Sequence, residues 1–297
     1  MTTFSQMTDQ TLMYLQGFTT VQDQATFLTE SVSASATTLK VSDTTAMSRG
    51  IVEIDTELLF VDNVDTVSQN MLLPPYGRGF RSTTASTHAA GTRVVSSPMF
   101  PRFLVKNAIN EAIRAVHPEL FGVGETTFNF NPAVSTYSLP AGALDVLQVS
   151  WSSIGPSREW LPVRRYRVDK HAAVGSFSTG ATISLYDSIV PGRSVKVVFT
   201  KQPSPMDSDS DVFSTVTGLP DSCEDVIRLG AAYRMTPFFD TAHLSGMSAE
   251  ADFSANMRPV GNSAQVARFL LQMYQVRFAE ETKGLQSVFP NRSYFTR

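Results

Sequence analysis

A single cysteine, Cys223, stands in 297 residues, so no disulfide within the chain holds the fold. No run approaches the roughly 18 apolar residues that a membrane helix needs, and no membrane partner is expected. The opening MTTFSQMTDQTLMYLQGF has neither the basic start nor the long apolar core of a signal peptide. These absences imply a protein made in a reducing, soluble compartment. Charge is also scarce: 17% of residues are charged, and 24 Lys and Arg face 27 Asp and Glu, giving −3. A chain of that balance has no overall electrostatic footprint for gripping nucleic acid. The four histidines, His88, His117, His171 and His243, lie far from one another and from Cys223, which removes a zinc-spaced cluster. No G-x-S-x-G nucleophile elbow occurs.

What the chain does have is 42% hydrophobic residues arranged in alternating periods. Residues 1–35 are rich in Thr, Ser and Gln. Leu12, Met13, Leu15 and Phe18 mark a short amphipathic helix, but the segment has too few apolar residues for its own core and reads as an arm. Residues 36–97 turn to period two. Leu39 and Val41, Val52 and Ile54, then Leu58 and Phe60 after a turn at Asp55-Thr56 predict short antiparallel strands. Gly77, Gly79 and Gly91 supply tight turns there. The result expected is a small β-barrel or sandwich module.

From Pro101 to His117, Leu104, Val105, Ala108, Ile109, Ala112, Ile113 and Val116 recur at helical spacing, and Pro118 stops the run. Residues 124–202 return to short strands between turn-rich pieces and predict an inserted antiparallel β-domain. Helices follow over 221–236, where Asp221 and Glu224 resemble a capping box, over Met247 to Met257, and from Asn262 to near Gly284. None of the three striped helices at 101–117, 221–236 and 262–283 buries its stripe alone. The economical expectation is an α+β fold: an antiparallel helical bundle (98–123 plus 203–284) interrupted by the β-domain, with the N-terminal β-module ahead and a tail at 285–297.

Sites of chemistry are few. Asp207, Asp209 and Asp211 begin a calcium-loop pattern, but Val212 and Gly218 stand where Gly and Glu belong. Gly122-Val-Gly124 and the stretch from Gly175 to Gly180 read as loops without the rest of a phosphate motif. Cys223 opens a helix with no histidine near it in sequence and reads as a structural thiol. Glu53, Asp55, Glu57, Asp62 and Asp65 could flank a glycoside, but alternation with Val52 and Ile54 predicts an outer, solvated face for Glu53 and Asp55. Arg158, Arg164, Arg165, Arg167 and Lys170, interleaved with Trp160 and Tyr166, suit a subunit interface or a phosphate backbone, the interface being favoured. No cofactor, metal or catalytic residue is expected, and the chain reads as a non-enzyme.

The run from Thr38 to Asp43, Gly50-Ile-Val-Glu-Ile-Asp55-Thr-Glu-Leu, Tyr76-Gly-Arg-Gly79 and His88-Ala-Ala-Gly91-Thr-Arg-Val resembles a small β-module of phage virion proteins. Val195 to Phe199 with Lys201-Gln-Pro203, the acidic loop, and Leu219-Pro220 before an Ala-rich helix are similar to head-to-tail adaptor proteins of tailed phages. That resemblance implies a structural virion protein of the neck, assembled in the host cytoplasm. It further implies a homo-oligomeric ring, commonly of twelve copies, below the portal protein, contacting tail or neck proteins and continuing a channel through which DNA passes without sequence-specific binding. Phe289, Arg292, Tyr294, Phe295 and Arg297 would dock into the portal, and Arg164, Arg165 and Arg167 would serve a partner contact. The alternatives are another tail or baseplate part, such as a tail terminator or fibre-attachment protein, and a virion hydrolase using the carboxylates near Asp55.

Overall fold

The computed structural model describes residues 2–19, 23–153, 159–239 and 262–289. The chain divides into two compact units, one of Met1–Thr3, Ile113–Glu224 and Val276–Arg297, the other of Phe4–Ala112 and Asp225–Gln275. The helix expected over Met247 to Met257 lies outside the described residues.

In the second of these units the first β-region is organised by one hairpin. Strand β3 (Gly50–Ile54) and strand β4 (Glu57–Val61) are joined by Asp55-Thr56, with Asp55 at a φ of 54°. A two-residue turn pairs Ile54 with Glu57, Val52 with Leu59 and Gly50 with Val61, and directly opposed residues share a face. Once Val52 and Ile54 point inward, Leu59 and Val61 must join them, and Leu58 and Phe60 fall on the reverse face. The alternating pair Leu58 and Phe60 thus belongs to the reverse face, on which Leu58 is buried too. Phe60 packs instead against Tyr76 and Phe80, ring centroids 6.3 and 5.4 Å away.

Strands β1 (Gln24–Phe27) and β7 (Arg93–Ser96) extend that hairpin into a sheet of order β1-β7-β3-β4. Strands β2 (Thr38–Lys40), β5 (Asn63–Asp65) and β6 (Asn70–Leu72) form a second sheet, β2-β6-β5. Leu28, Leu39, Val41, Val52, Ile54, Leu59, Val61, Met71 and Val94 share one core between them.

Helix α1 (Phe4–Gln16) precedes the sheets and buries Phe4, Met7, Thr8, Thr11 and Leu15, whereas Met13 is 70% exposed. The stripe expected at Leu12, Met13, Leu15 and Phe18 is thus displaced. Thr8 and Thr11 can be buried because their hydroxyls donate to the carbonyls of Phe4 and Met7, each at 2.8 Å. Helix α2 (Arg102–Ala115) follows β7 and buries Val105, Ala108, Ile109, Ala112 and Ile113.

The other unit is built on strands β8 (Gly122–Asn129), β9 (Thr136–Ser138), β10 (Ala143–Ser152), β11 (Trp160–Pro162), β12 (Tyr166–Asp169), β13 (Thr182–Leu185) and β14 (Ser194–Lys201). They make two antiparallel sheets, β11-β10-β14-β8 and β12-β13-β9. Val149, Val195 and Val197 of the first and Ile183 of the second meet in a common core with Leu139 and Val163. Gly122-Val-Gly124, expected as a loop, lies in β8. Gly124 pairs with Phe199, and a Cβ on it would come within 2.7 Å of that ring. The glycine leaves room for the aromatic ring to lie flat over the strand.

Short helix α3 (Phe213–Thr217) leads to α4 (Glu224–Met235), and α5 (Asn262–Val288) is the last described element. The capping box expected at Asp221 and Glu224 is not used. Asp221–Cys223 form a 3-10 turn without a side-chain cap, and Glu224 accepts a 2.7 Å hydrogen bond from Thr2. Helix α5 runs past Gly284, since an exposed glycine costs a helix only about 1 kcal/mol.

The expectation of an antiparallel helical bundle with a β-insertion is overturned. The described residues form four antiparallel sheets of fourteen strands, together with helices, and the fold is α+β only in that coarse sense. Helices α2, α4 and α5 do approach at Gly230, where a Cβ would meet the Tyr274 ring at 3.0 Å and the Ala112 Cβ at 3.4 Å. That contact is local. An apolar stripe states that a helix face is covered, not what covers it, so three stripes did not amount to a bundle.

Candidate functional site

The hairpin register carries Glu57 to the core face. Glu57 is 1% exposed and His88 2%. The carboxylate is saturated: Arg78 donates through Nε and Nη2 at 2.8 and 2.9 Å, and the backbone N–H groups of Gly79 and Ser86 donate at 2.9 and 3.0 Å. His88 Nε2 adds a contact of 2.9 Å, while its Nδ1 lies 2.8 Å from Asp55 at the exposed turn. Arg78 also donates to the carbonyls of Ser33, Ala36 and Ser86. Antiparallel backbone bonds between Val32 and His88 close the same corner. A Cβ on Gly77 would clash with the Phe60 carbonyl at 2.7 Å, and Gly79 has a φ of 58°, so the two glycines permit the bend that presents Arg78.

Burial works against the ionised Glu57 carboxylate, but the bonds from Arg78, Ser86, Gly79 and His88 outweigh it and bring its pKa down to about 2. Burial likewise works against charged His88, yet Asp55 and Glu57 raise its pKa above the ordinary value. Ser86 Oγ lies 3.4 Å from His88 Nε2, so Ser86, His88 and Asp55 have the outline of a hydrolase triad. The chemistry differs. Both ring nitrogens lie within 2.9 Å of carboxylates, which favour the doubly protonated ring, and in that form it has no lone pair with which to deprotonate the serine. The cluster ties four segments together.

The solvated position expected for Asp55 holds, since its side chain is exposed at the turn, but that expected for Glu53 is corrected. Glu53 is buried as well, on the reverse side of the hairpin, and accepts the Arg102 N–H at the start of α2 at 2.5 Å. Burial pushes its pKa up to about 7 against that bond. Glu53 and Glu57 point to opposite faces, so the two buried acids do not flank a common substrate. Alternation failed as a guide because both hairpin faces are covered.

In the second β-region, Asp187 accepts from the backbone N–H groups of Arg164 and Arg165 at 2.6 and 3.2 Å and lies 3.4 Å from Arg165 Nε. Arg164, Arg165 and Arg167 are exposed. The aromatic partners expected among them are dispersed. Tyr166 packs on the core, and Trp160 belongs to the other sheet, where Lys196 sits 5.8 Å over its ring. Arg158, Arg292, Tyr294, Phe295 and Arg297 lie outside the described residues; Phe289 is half-buried just after α5, its N–H donating to the Leu285 carbonyl. In the acidic loop Asp211 accepts from the N–H groups of Asp207 and Ser208, a turn-stabilising role. Among the described residues no group of His, Cys, Asp and Glu is arranged to hold a metal. Cys223 is buried, and that burial, with Glu281 nearby, pushes its pKa up to about 12, which keeps it an unreactive thiol.

The Glu57–Arg78–His88 cluster went unrecognised in the sequence, although the position of the two-residue turn is enough to place Glu57 on the face of Ile54. Compared with known proteins, the family model described as SU10 adaptor protein matches residues 83–274. No curated protein matches the chain.

Proposed function

The chain belongs to the SU10 adaptor protein family, and from that membership we propose that it is a head-to-tail adaptor whose copies form a ring of twelve below the portal of a tailed phage. In this reading the ring joins capsid to tail in the neck of the virion, contacts portal and tail or neck proteins, and continues the channel for DNA. Its work is positional. The single observation that carries the reading is the family match over 83–274, which spans the β-domain, α2 and α4. The saturated cluster at Glu57 agrees with it, because a corner that consumes its own polar groups is built for rigidity.

The arm at 1–35, the module at 36–97 and the docking tail at 285–297 are part of the same proposal. The tail would place Phe289, Tyr294 and Phe295 in apolar pockets and Arg292 and Arg297 against acidic rims. A net charge of −3 suits a channel wall that lets DNA slide. Electron microscopy of the particle tests the reading. A symmetric collar at the portal base, labelled by antibody to this chain, is the expected result, and label confined to the tail tip overturns it.

A further inference from the structure

Strand β8 stands at one end of the sheet β11-β10-β14-β8 and pairs with β14 alone, in unbroken register from Gly122 opposite Lys201 to Asn129 opposite Ser194. The Phe130 N–H donates to the Arg193 carbonyl and the Gly192 N–H to the Phe130 carbonyl, both at 2.8 Å. The even-numbered residues of β8 therefore turn their backbone groups to β14, and Val123, Glu125, Thr127 and Asn129 turn theirs outward. Among the described residues no hydrogen bond takes up those outward groups. Glu125, Thr127 and Asn129 are exposed.

Edge strands are ordinarily blunted by brevity, proline, a bulge or an unpaired charge. Strand β8 has none of these: it is eight residues long, and its one charge, Glu125, is paired with Lys196 at 2.8 Å. The opposite edge is blunted. Strand β11 is three residues long and places Pro162, which has no N–H, at an outward position. An open edge of the length of β8 is completed by an added strand, and β8 of a second copy fits it. Antiparallel pairing about a twofold axis at Glu125 would oppose that carboxylate to itself. With the axis at Thr126, Glu125 lies opposite Thr127 and Val123 opposite Asn129, so every outward group finds a partner. The same register sets Phe128 opposite Gly124, an aromatic and glycine pairing of the kind that pins a sheet. The joined sheet ends in β11 on both sides, which stops growth at two copies.

We infer that β8 pairs antiparallel with β8 of a second copy about a twofold axis at Thr126. Such a contact is isologous, so it belongs to the free chain and not to a cyclic ring, and it does not rest on the ring reading. The test uses the full-length protein. Sedimentation of wild type across a concentration series should show the mass rising toward twice that of the monomer. Thr127→Pro removes one outward N–H from each copy and leaves the bonds to β14 in place. It should weaken the dimer by about tenfold or more, with an unchanged circular dichroism spectrum. Thr126→Cys brings two Cα atoms to about 4.5 Å and should give a crosslinked dimer on mild oxidation. In Thr127→Cys the two cysteines stand diagonally, about 7 to 8 Å apart, and should not crosslink. Wild type, whose Cys223 is buried, sets the background. A wild type that is monomeric at every concentration overturns the inference, and so does equal crosslinking of the two cysteine variants. Undiminished dimerisation of Thr127→Pro overturns it too, by placing the contact elsewhere.

Discussion

At the scale of the residue, Glu57 and its partners are the most consequential contacts in the N-terminal module. Arg78 supplies bidentate bonds to a carboxylate with no access to water, so its removal leaves a buried charge unpaired. Arg78→Ala should destabilise the module by about 3 to 5 kcal/mol, read as a shift of its urea unfolding transition. Arg78→Lys should recover little, since an ammonium cannot reproduce the planar fork. A loss below about 1 kcal/mol, the range of an exposed pair, would refute the role given to the cluster. The cluster also has a pH signature. Glu57 has its pKa lowered on folding, so its contribution is complete above the ordinary value of 4.5 and disappears as pH falls toward 2. His88 has its pKa raised, so its contribution is complete below the ordinary value of 6.5 and is lost as pH climbs through the folded value. Glu53, raised from 4.5 to about 7, adds a decline across that interval. The module should be most stable near pH 5, and Glu53→Gln should flatten the decline between 4.5 and 7 in thermal melts across pH.

At the scale of the element, two glycines are set by what lies above them. Gly124 of β8 lies beneath the Phe199 ring at a distance no Cβ tolerates, so Gly124→Ala should displace that ring and cost about 1 to 3 kcal/mol, visible as a lowered melting temperature of the β-domain. At Gly230 of α4 the nearest atom is the tip of Tyr274, and helix propensity favours alanine by up to about 1 kcal/mol. Gly230→Ala should therefore be close to neutral and Gly230→Val clearly destabilising. The hairpin β3–β4 shows how far sequence reading reaches at this scale. The turn at Asp55-Thr56 was legible, as was the alternation at Val52 and Ile54 and at Leu58 and Phe60, but the register that sets the two pairs on opposite faces came only with the paired strands. In α1 the apolar residues alone did not mark the covered face: Thr8 and Thr11 are buried on it, because their hydroxyls find carbonyls one turn back.

At the scale of the whole molecule, helix α5 alters how the tail should be tested. It runs to Val288, so a truncation that leaves Phe289 as the last residue keeps the helix and removes the tail beyond it. That variant should fold with unchanged circular dichroism and fail to attach to particles in a co-sedimentation assay. Attachment at wild-type level would remove the tail from the proposed mechanism. Each of the two units contains a strand-built core.

The sequence by itself determined that no disulfide forms within the chain, the positions of helix α2 and of most strands, the structural character of Cys223, and the phage-adaptor resemblance that the family match supports. Those depend on composition, local period and short motifs, which are properties of neighbouring residues. Only the tertiary structure decided that strands and not helices form the framework, that Glu53 and Glu57 are buried, and that the arginines and aromatics near residue 165 face different ways. The reason is physical: a hydrophobic period reports that a face is hidden from water, while the identity of the partner that hides it is set by contacts between residues far apart in the chain.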